Sequence, residues 1–214
     1  AIGLIQSCGA HGAHMQLDDF LCVGEVALSG EIRPIRGALA IAMAAKEWGK
    51  KGVLLPTANV TEARLVDGIE VIGLSNLKEA IAFLSSPEKQ LFPPSVSPPP
   101  ISHHPAIDFA DIKGQAQAKR ALEIAAAGGH NLLLCGPPGA GKTLMAKALL
   151  GILPPLTAEE ALEVTRIYSI AGLLSNKETL LQERPFQSPH STVSYAGMVG
   201  GGSRPKPGAL SLAH

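Results

Sequence analysis

The residues of this chain with the clearest chemical potential lie in one run. Gly136-Pro137-Pro138-Gly139-Ala140-Gly141-Lys142-Thr143 matches G-x-x-x-x-G-K-[ST] at every fixed position. Glycines at these places let backbone N–H groups turn inward without a Cβ clash, forming a concave nest for an anion. A helix that starts where the loop ends aims its positive N-terminus at the same point. Lys142, the candidate catalytic side chain, adds a point charge for β- and γ-phosphate oxygens, and the Thr143 hydroxyl is a candidate Mg2+ ligand. The candidate nucleotide-binding residues are therefore Gly136, Pro137, Pro138, Gly139, Ala140, Gly141, Lys142 and Thr143. By average residue usage, a chance match in a chain this long is on the order of one per cent.

The neighbouring elements must hold that loop in place. Asn131–Cys135 is short and apolar and is predicted to be a strand leading into the loop, with Cys135 packed in it. Thr143–Leu150 is predicted to be the helix leading out, ended by Pro154-Pro155. Upstream, Gln115–Ala127 reads as a helix stopped by Gly128-Gly129. Downstream, Thr157 and Glu160 form a capping box for a helix to about Ile170, and the tail from Leu173 reads as loop.

The purine and the hydrolytic machinery are separate questions. Asn176-Lys177-Glu178-Thr179 begins like a guanine-specifying Asn-Lys-x-Asp element but has Thr where the guanine-pairing Asp would stand. It reads as a surface turn, and ATP with Mg2+ is the expected ligand. Hydrolysis normally needs an acid at the end of a second apolar strand. No Asp follows Asp111, and Glu159, Glu160 and Glu163 lie on a predicted helix. The residues as given are expected to bind nucleotide without turning it over.

The first part of the chain alternates strand and helix signals. Cys22–Leu28 and Glu31–Ile35 flank a Ser29-Gly30 turn; Gly37–Trp48 is an Ala-rich helix whose face, with Trp48, is expected in the core. Gly52–Leu55 is a strand stopped by Pro56, Asn59–Val66 a helix, Ile69–Leu74 a strand, and Asn76–Leu84 a helix with an Asn76/Glu79 capping box. Residues 87–105 hold seven prolines in 19 positions, which favours an extended linker of roughly 55–60 Å at ~3.1 Å per residue. The expected domains are 1–86 and 106–214, joined by the linker 87–105, with an α/β pattern in both.

Composition narrows the field further. Hydrophobic residues at 46% against 17% charged describe a folded chain, not a disordered one. Lys plus Arg and Asp plus Glu both count 18, so no global charge argues for nucleic acid or a membrane surface. No apolar run approaches the ~18–20 residues of a membrane span. Three cysteines without CxxC spacing argue against a disulfide scaffold and for a reducing, cytoplasmic setting. His11-Gly12-Ala13-His14 lacks a third and fourth metal ligand at useful spacing, and His103-His104 falls in the linker.

Longer stretches carry a family resemblance. Phe109-Ala110-Asp111-Ile112-Lys113-Gly114-Gln115, followed by Ala118 to His130, resembles the opening of the AAA+ module in the magnesium-chelatase family. Arg184-Pro185-Phe186-Gln187-Ser188-Pro189-His190, Val199–Gly202 and Pro207–His214 are similar to the same family. Gly24-Glu25-Val26-Ala27-Leu28-Ser29-Gly30-Glu31-Ile32-Arg33-Pro34-Ile35 resembles the Lon-protease-like domain (ribosomal S5 domain 2-like) that precedes AAA+ in the ComM/YifB branch. The resemblance covers nearly the whole chain and implies a partial Lon-like domain followed by the first half of a P-loop AAA+ domain, with the Walker B acids beyond His214.

The resemblance also implies functions. It places Ile112 and Gly114 near the adenine, and it implies a ring-forming ATPase, hexameric as the intact protein, that works on DNA. The rivals are a chelatase motor subunit and a nucleotide-gated scaffold. Two positions depart from the pattern. Leu39 stands where Lon proteases have a catalytic Lys and the Ser partner would lie upstream of Ala1, so no Ser–Lys dyad is expected; Ser191 stands where the family often has a second His. From Val164 to His214, Arg166, Lys177, Arg184, Arg204 and Lys206 outnumber Glu178 and Glu183 by three. Arg204 and Lys206 beside Gly200–Gly202 are the candidate phosphate-backbone contacts for DNA.

Overall fold

The computed structural model describes residues 18–85, 107–174, 180–202 and 205–214. The Pro-rich stretch 87–105, the histidines at 11, 14, 103 and 104, the turn at 176–179 and Arg204 lie outside or largely outside these residues. The chain divides into two compact units, one of Ala1–Pro99 with Leu162–Leu180 and one of Pro100–Ala161 with Leu181–His214. Both contain helices, and the first contains a parallel sheet.

The first unit is organised by β4 (Gly52–Pro56), the middle strand of the order β1-β4-β5, with β1 at Phe20–Cys22 and β5 at Glu70–Leu74. Both neighbours run parallel to it, in the register Phe20↔Gly52 and Leu54↔Ile72. A parallel strand needs a crossover back to the same end, and each crossover leaves helix on a face of the sheet. Alternate residues of β4 then feed two cores. Leu54 joins Phe20, Ile72, Leu74 and the Ala80, Phe83 and Leu84 of α3 (Leu77–Ser85). Val53 and Leu55 join Val71 and the Leu39, Ala42 and Ala45 of α1 (Ala38–Glu47), with Ala63 from α2 (Val60–Ala63). Phe20 meets Phe83 edge-on with ring centres 5.3 Å apart.

The local signals hold where they are short-range. Ser29-Gly30 turns a hairpin between β2 (Glu25–Val26) and β3 (Ile32–Arg33), with Ala27 N–H donating to Glu31 C=O at 2.9 Å. The Asn76 side chain accepts from Glu79 N–H at 2.9 Å, and the Glu79 carboxylate takes Ser75 N–H at 2.7 Å. Thr157 and Glu160 exchange both bonds of their capping box, at 2.8 and 3.2 Å. Pro56 ends its strand as the last paired residue, opposite Leu74.

Several expectations are corrected. The apolar run from Cys22 splits at Gly24 between a parallel strand and a hairpin strand, and β3 stops before Pro34, which has no N–H to donate. The helix expected over Asn59–Val66 shrinks to Val60–Ala63 after a 3-10 turn at Thr57–Asn59. The Asn59 side chain is committed instead to both Ile35 N–H and Ile35 C=O, each at 2.9 Å. Trp48 is 66% exposed and outside the core, because α1 ends at Glu47 and the chain turns at Gly49.

In the second unit, α4 (Ala116–Gly128) packs with α5 (Lys142–Ile152) through Leu122, Met145 and Ala148. Asn131–Cys135 forms no strand, contrary to expectation. A strand exists only when a neighbour completes its ladder, and no described residue does so here. Leu133 is 86% exposed, and Cys135 is exposed instead of packed. The tail is more structured than a loop: α7 (Tyr195–Val199) and α8 (Ala209–Leu212) flank a hairpin of β6 (Gly200–Gly201) and β7 (Lys206–Pro207). A Cβ on Gly200 would lie 2.6 Å from Lys206 O, so this hairpin closes only on glycine. Finally, α6 (Ala158–Ala171) starts in the second unit, and its residues from Leu162 count with the first. There the Ser169 hydroxyl donates to the Glu62 carboxylate, which also accepts Leu39 N–H at 2.9 Å.

Phe83→Ala is expected to remove about 3–5 kcal/mol of unfolding free energy. Trp48→Ala is expected to change it by less than ~0.5 kcal/mol. Urea denaturation followed by far-UV circular dichroism checks both, and equal losses would overturn this assignment of core and surface.

Candidate functional site

The Gly136–Thr143 run forms a loop ending at a helix start. Gly139 and Gly141 both take left-handed backbone, with φ of 80° and 81°. Ala140 N–H donates to Pro137 C=O at 3.4 Å and closes a turn inside the loop. Gly141 is the residue before α5, and neither a side-chain cap nor an acidic residue occupies the first turn of that helix. The first amides of a helix have no intrahelical acceptor. With no carboxylate competing, the start of α5 is suited to an anion.

Lys142 crosses the loop. Its Nζ donates to Gly136 C=O at 2.9 Å and to Pro137 C=O at 2.8 Å. An ammonium has three donors, so one remains for a ligand oxygen. Thr143 follows on the first turn of α5 and is exposed. The loop thus offers backbone amides, a cation and a hydroxyl within one turn of chain, which fits a phosphate with a bound divalent metal.

Ile112 and Gly114 sit differently. Ile112 is 6% exposed and belongs to the apolar cluster with Leu122, Met145 and Ala148. Met145 is one turn into α5, so the 112–114 turn and the loop are anchored on the same helix. Gly114 is exposed with φ 67°, and Gln115 follows at φ 53°, the only non-glycine with positive φ among the described residues. Asp108 caps the preceding 3-10 turn (Phe109–Asp111) by accepting Ala110 N–H at 2.7 Å.

Long-range pairs were not legible in the sequence. Arg184 Nε donates to Pro154 C=O at 2.9 Å, and its Nη2 lies 3.5 Å from Glu160 Oε2. The bond from Thr157 N–H, with Arg184 adding its charge, holds the Glu160 carboxyl below its ordinary value. A depressed carboxyl stabilises the fold above its unfolded value, and that contribution is lost as pH falls through the folded one. Arg166 pairs with Glu163 at 3.4 Å. Two of the positive charges counted from Val164 onward are therefore balanced by acids just before the window. His190 Nδ1 lies 2.7 Å from Thr192 Oγ1 and 3.3 Å from Thr192 N, a local turn of the chain. No group of three or more His, Cys, Asp or Glu able to hold a metal occurs among the described residues, and no described helix is long and apolar enough to cross a membrane.

Two family models match the chain, one toward each end. Residues 108–214 match the family model described as magnesium chelatase, subunit ChlI, and residues 1–59 match the one described as subunit ChlI of Mg-chelatase. The chain is 44% identical over 200 residues to an uncharacterised protein of Mycobacterium tuberculosis, covering 93% of this chain and 39% of the relative. It is 42% identical to the uncharacterised protein YifB of Escherichia coli over 93% of this chain and 38% of the relative. It is 38% identical to the competence protein ComM of Haemophilus influenzae over 100% of this chain and 42% of the relative. The chain therefore spans about two fifths of the length of these relatives.

Gly141→Ala is expected to destabilise the second unit by about 1–2 kcal/mol, the cost of a Cβ in left-handed backbone. Chemical denaturation checks this. A neutral result would mean that the loop reaches α5 by another backbone path.

Proposed function

The chain belongs to the magnesium-chelatase subunit ChlI family, alongside ComM and YifB, and from this premise we propose that Gly136–Thr143 binds the phosphates of ATP with Mg2+. The observation that carries the reading is the uncapped start of α5 behind two left-handed glycines, with the Lys142 ammonium across the loop. In this reading the amides of Gly139 to Thr143 and Lys142 hold the β- and γ-phosphates, Thr143 ligates Mg2+, and Ile112 and Gly114 border the adenine from the turn packed on α5. Pro137, Pro138 and Ala140 shape the loop between the glycines.

The proposed assignment of domains is a Lon-like domain over 1–86, a linker over 87–105 and an AAA+ module from 106. Leu39 is fully buried in the apolar core of the first unit and has no ionisable group. That supports a binding role for the first domain instead of peptidase chemistry. The intact protein is a cytoplasmic ring ATPase in this reading. A motor acting on DNA is favoured over a chelatase motor or a nucleotide-gated scaffold by the likeness to a competence protein. Arg166 and Arg184 are engaged by acids, so Arg204 and Lys206, the latter in β7, carry the local case for a DNA contact.

Lys142→Ala is expected to weaken ATP–Mg2+ binding by ~1.5–3 kcal/mol, or roughly 10- to 150-fold. Calorimetry on a folded variant checks this, and unchanged affinity overturns the phosphate site. For DNA, the double substitution Arg204→Ala with Lys206→Ala is expected to lower the salt slope by about one unit for each phosphate no longer neutralised, on all sequences alike. An unchanged slope removes these residues from the DNA path. No DNA binding by the full-length protein, with or without ATP, favours the chelatase or scaffold reading.

A further inference from the structure

The far end of α5 carries an arrangement that the phosphate loop does not need. The helix has no basic residue in its last turn. Its C-terminal carbonyls form the negative pole of the helix, and cations stabilise that pole. Arg184 bonds Pro154 C=O, two residues past the end of α5, and meets Glu160 in the first turn of α6. One half-buried guanidinium, 25% exposed, thus grips the exit of the loop helix and the start of the next helix. It is also one tie between residues 181–202 and that turn.

A helix of 11 residues is about 16 Å long and moves as a rod. Its first turn is where an anion would bind, and it ends two residues before the carbonyl that Arg184 holds. We propose that Arg184 is a positioning residue that carries occupancy of the phosphate loop, through α5, to the 181–214 segment; this rests on the phosphate-site reading above. A phosphate drawn onto the α5 amides tightens the helix start. Arg184 converts that into order in residues 181–202. The planar fork of arginine suits the role, since separate N–H groups reach the carbonyl and the carboxylate at once.

The test is hydrogen exchange on the full-length protein, with and without Mg2+ and a slowly hydrolysed ATP analogue, reading the amides of residues 181–202. In the unaltered protein the analogue is expected to slow exchange there at least ~10-fold. Arg184→Ala is expected to bind the analogue within ~3-fold of normal but to lose the nucleotide-dependent difference. A purely structural role would instead raise exchange equally in both states and leave their ratio unchanged, and that outcome overturns the proposal. If Arg184→Ala does not fold, Glu160→Gln takes its place. It keeps an oxygen for Thr157 N–H but removes the charge facing Arg184, and it must reduce the ratio. No analogue binding by the unaltered protein overturns the phosphate site itself. Binding without any slowing in 181–202 overturns the role of Arg184 alone.

Discussion

The opening turn of α5 must be both rigid and unfinished. Its amides are useful to a ligand only if no protein group accepts from them, and an unfinished helix end frays unless something else holds it. Two left-handed glycines solve the geometric half by turning the chain without side chains in the way. Lys142 solves the rest by donating two of its hydrogens to the loop's own carbonyls. The helix is then fixed from its flank, by Met145 and Ala148 against Ile112 and Leu122. Little of the loop itself is buried, so its shape depends on backbone conformation and on that flank.

The first unit is built on a different constraint. Its middle strand is buried on both faces, so every residue of β4 must suit a core, and the two cores must not exchange partners. Alternation along the strand separates them. Small residues then let helix approach sheet: Ala38, Ala42 and Ala45 are fully buried on α1. Polar groups enter only when fully engaged, as with Asn59 against Ile35 and Glu62 against Leu39 and Ser169.

How much of this was legible follows from how far apart the partners are. The two capping boxes, the Ser29-Gly30 hairpin and the glycine turn of Gly136–Thr143 use residues within a few positions of one another, and their patterns are readable directly. Alternation and helical spacing also define the elements around β4. What failed needed distant partners. Asn131–Cys135 has the composition of a strand, but composition does not supply a ladder. Asn59 reads as helical, yet Ile35, 24 residues earlier, claims its side chain. Arg184 stands out in the sequence as part of a family-like string and as one of several basic residues, while its partners Pro154 and Glu160 lie 30 and 24 residues away. In the tail, helix and hairpin follow from glycines that permit close backbone approach, a property that reads in sequence only as looseness.

The place of Trp48 has an optical consequence. It is the chain's single tryptophan, and it stands in water at the edge of the first unit instead of inside either core. Its indole therefore meets nearly the same solvent before and after the chain comes apart. Its emission will follow what touches that edge far more than whether the protein is folded. The residue that would ordinarily serve as an internal dye is, in this chain, an external one: quiet during unfolding, and open to quenchers and to any molecule that settles on the turn after α1.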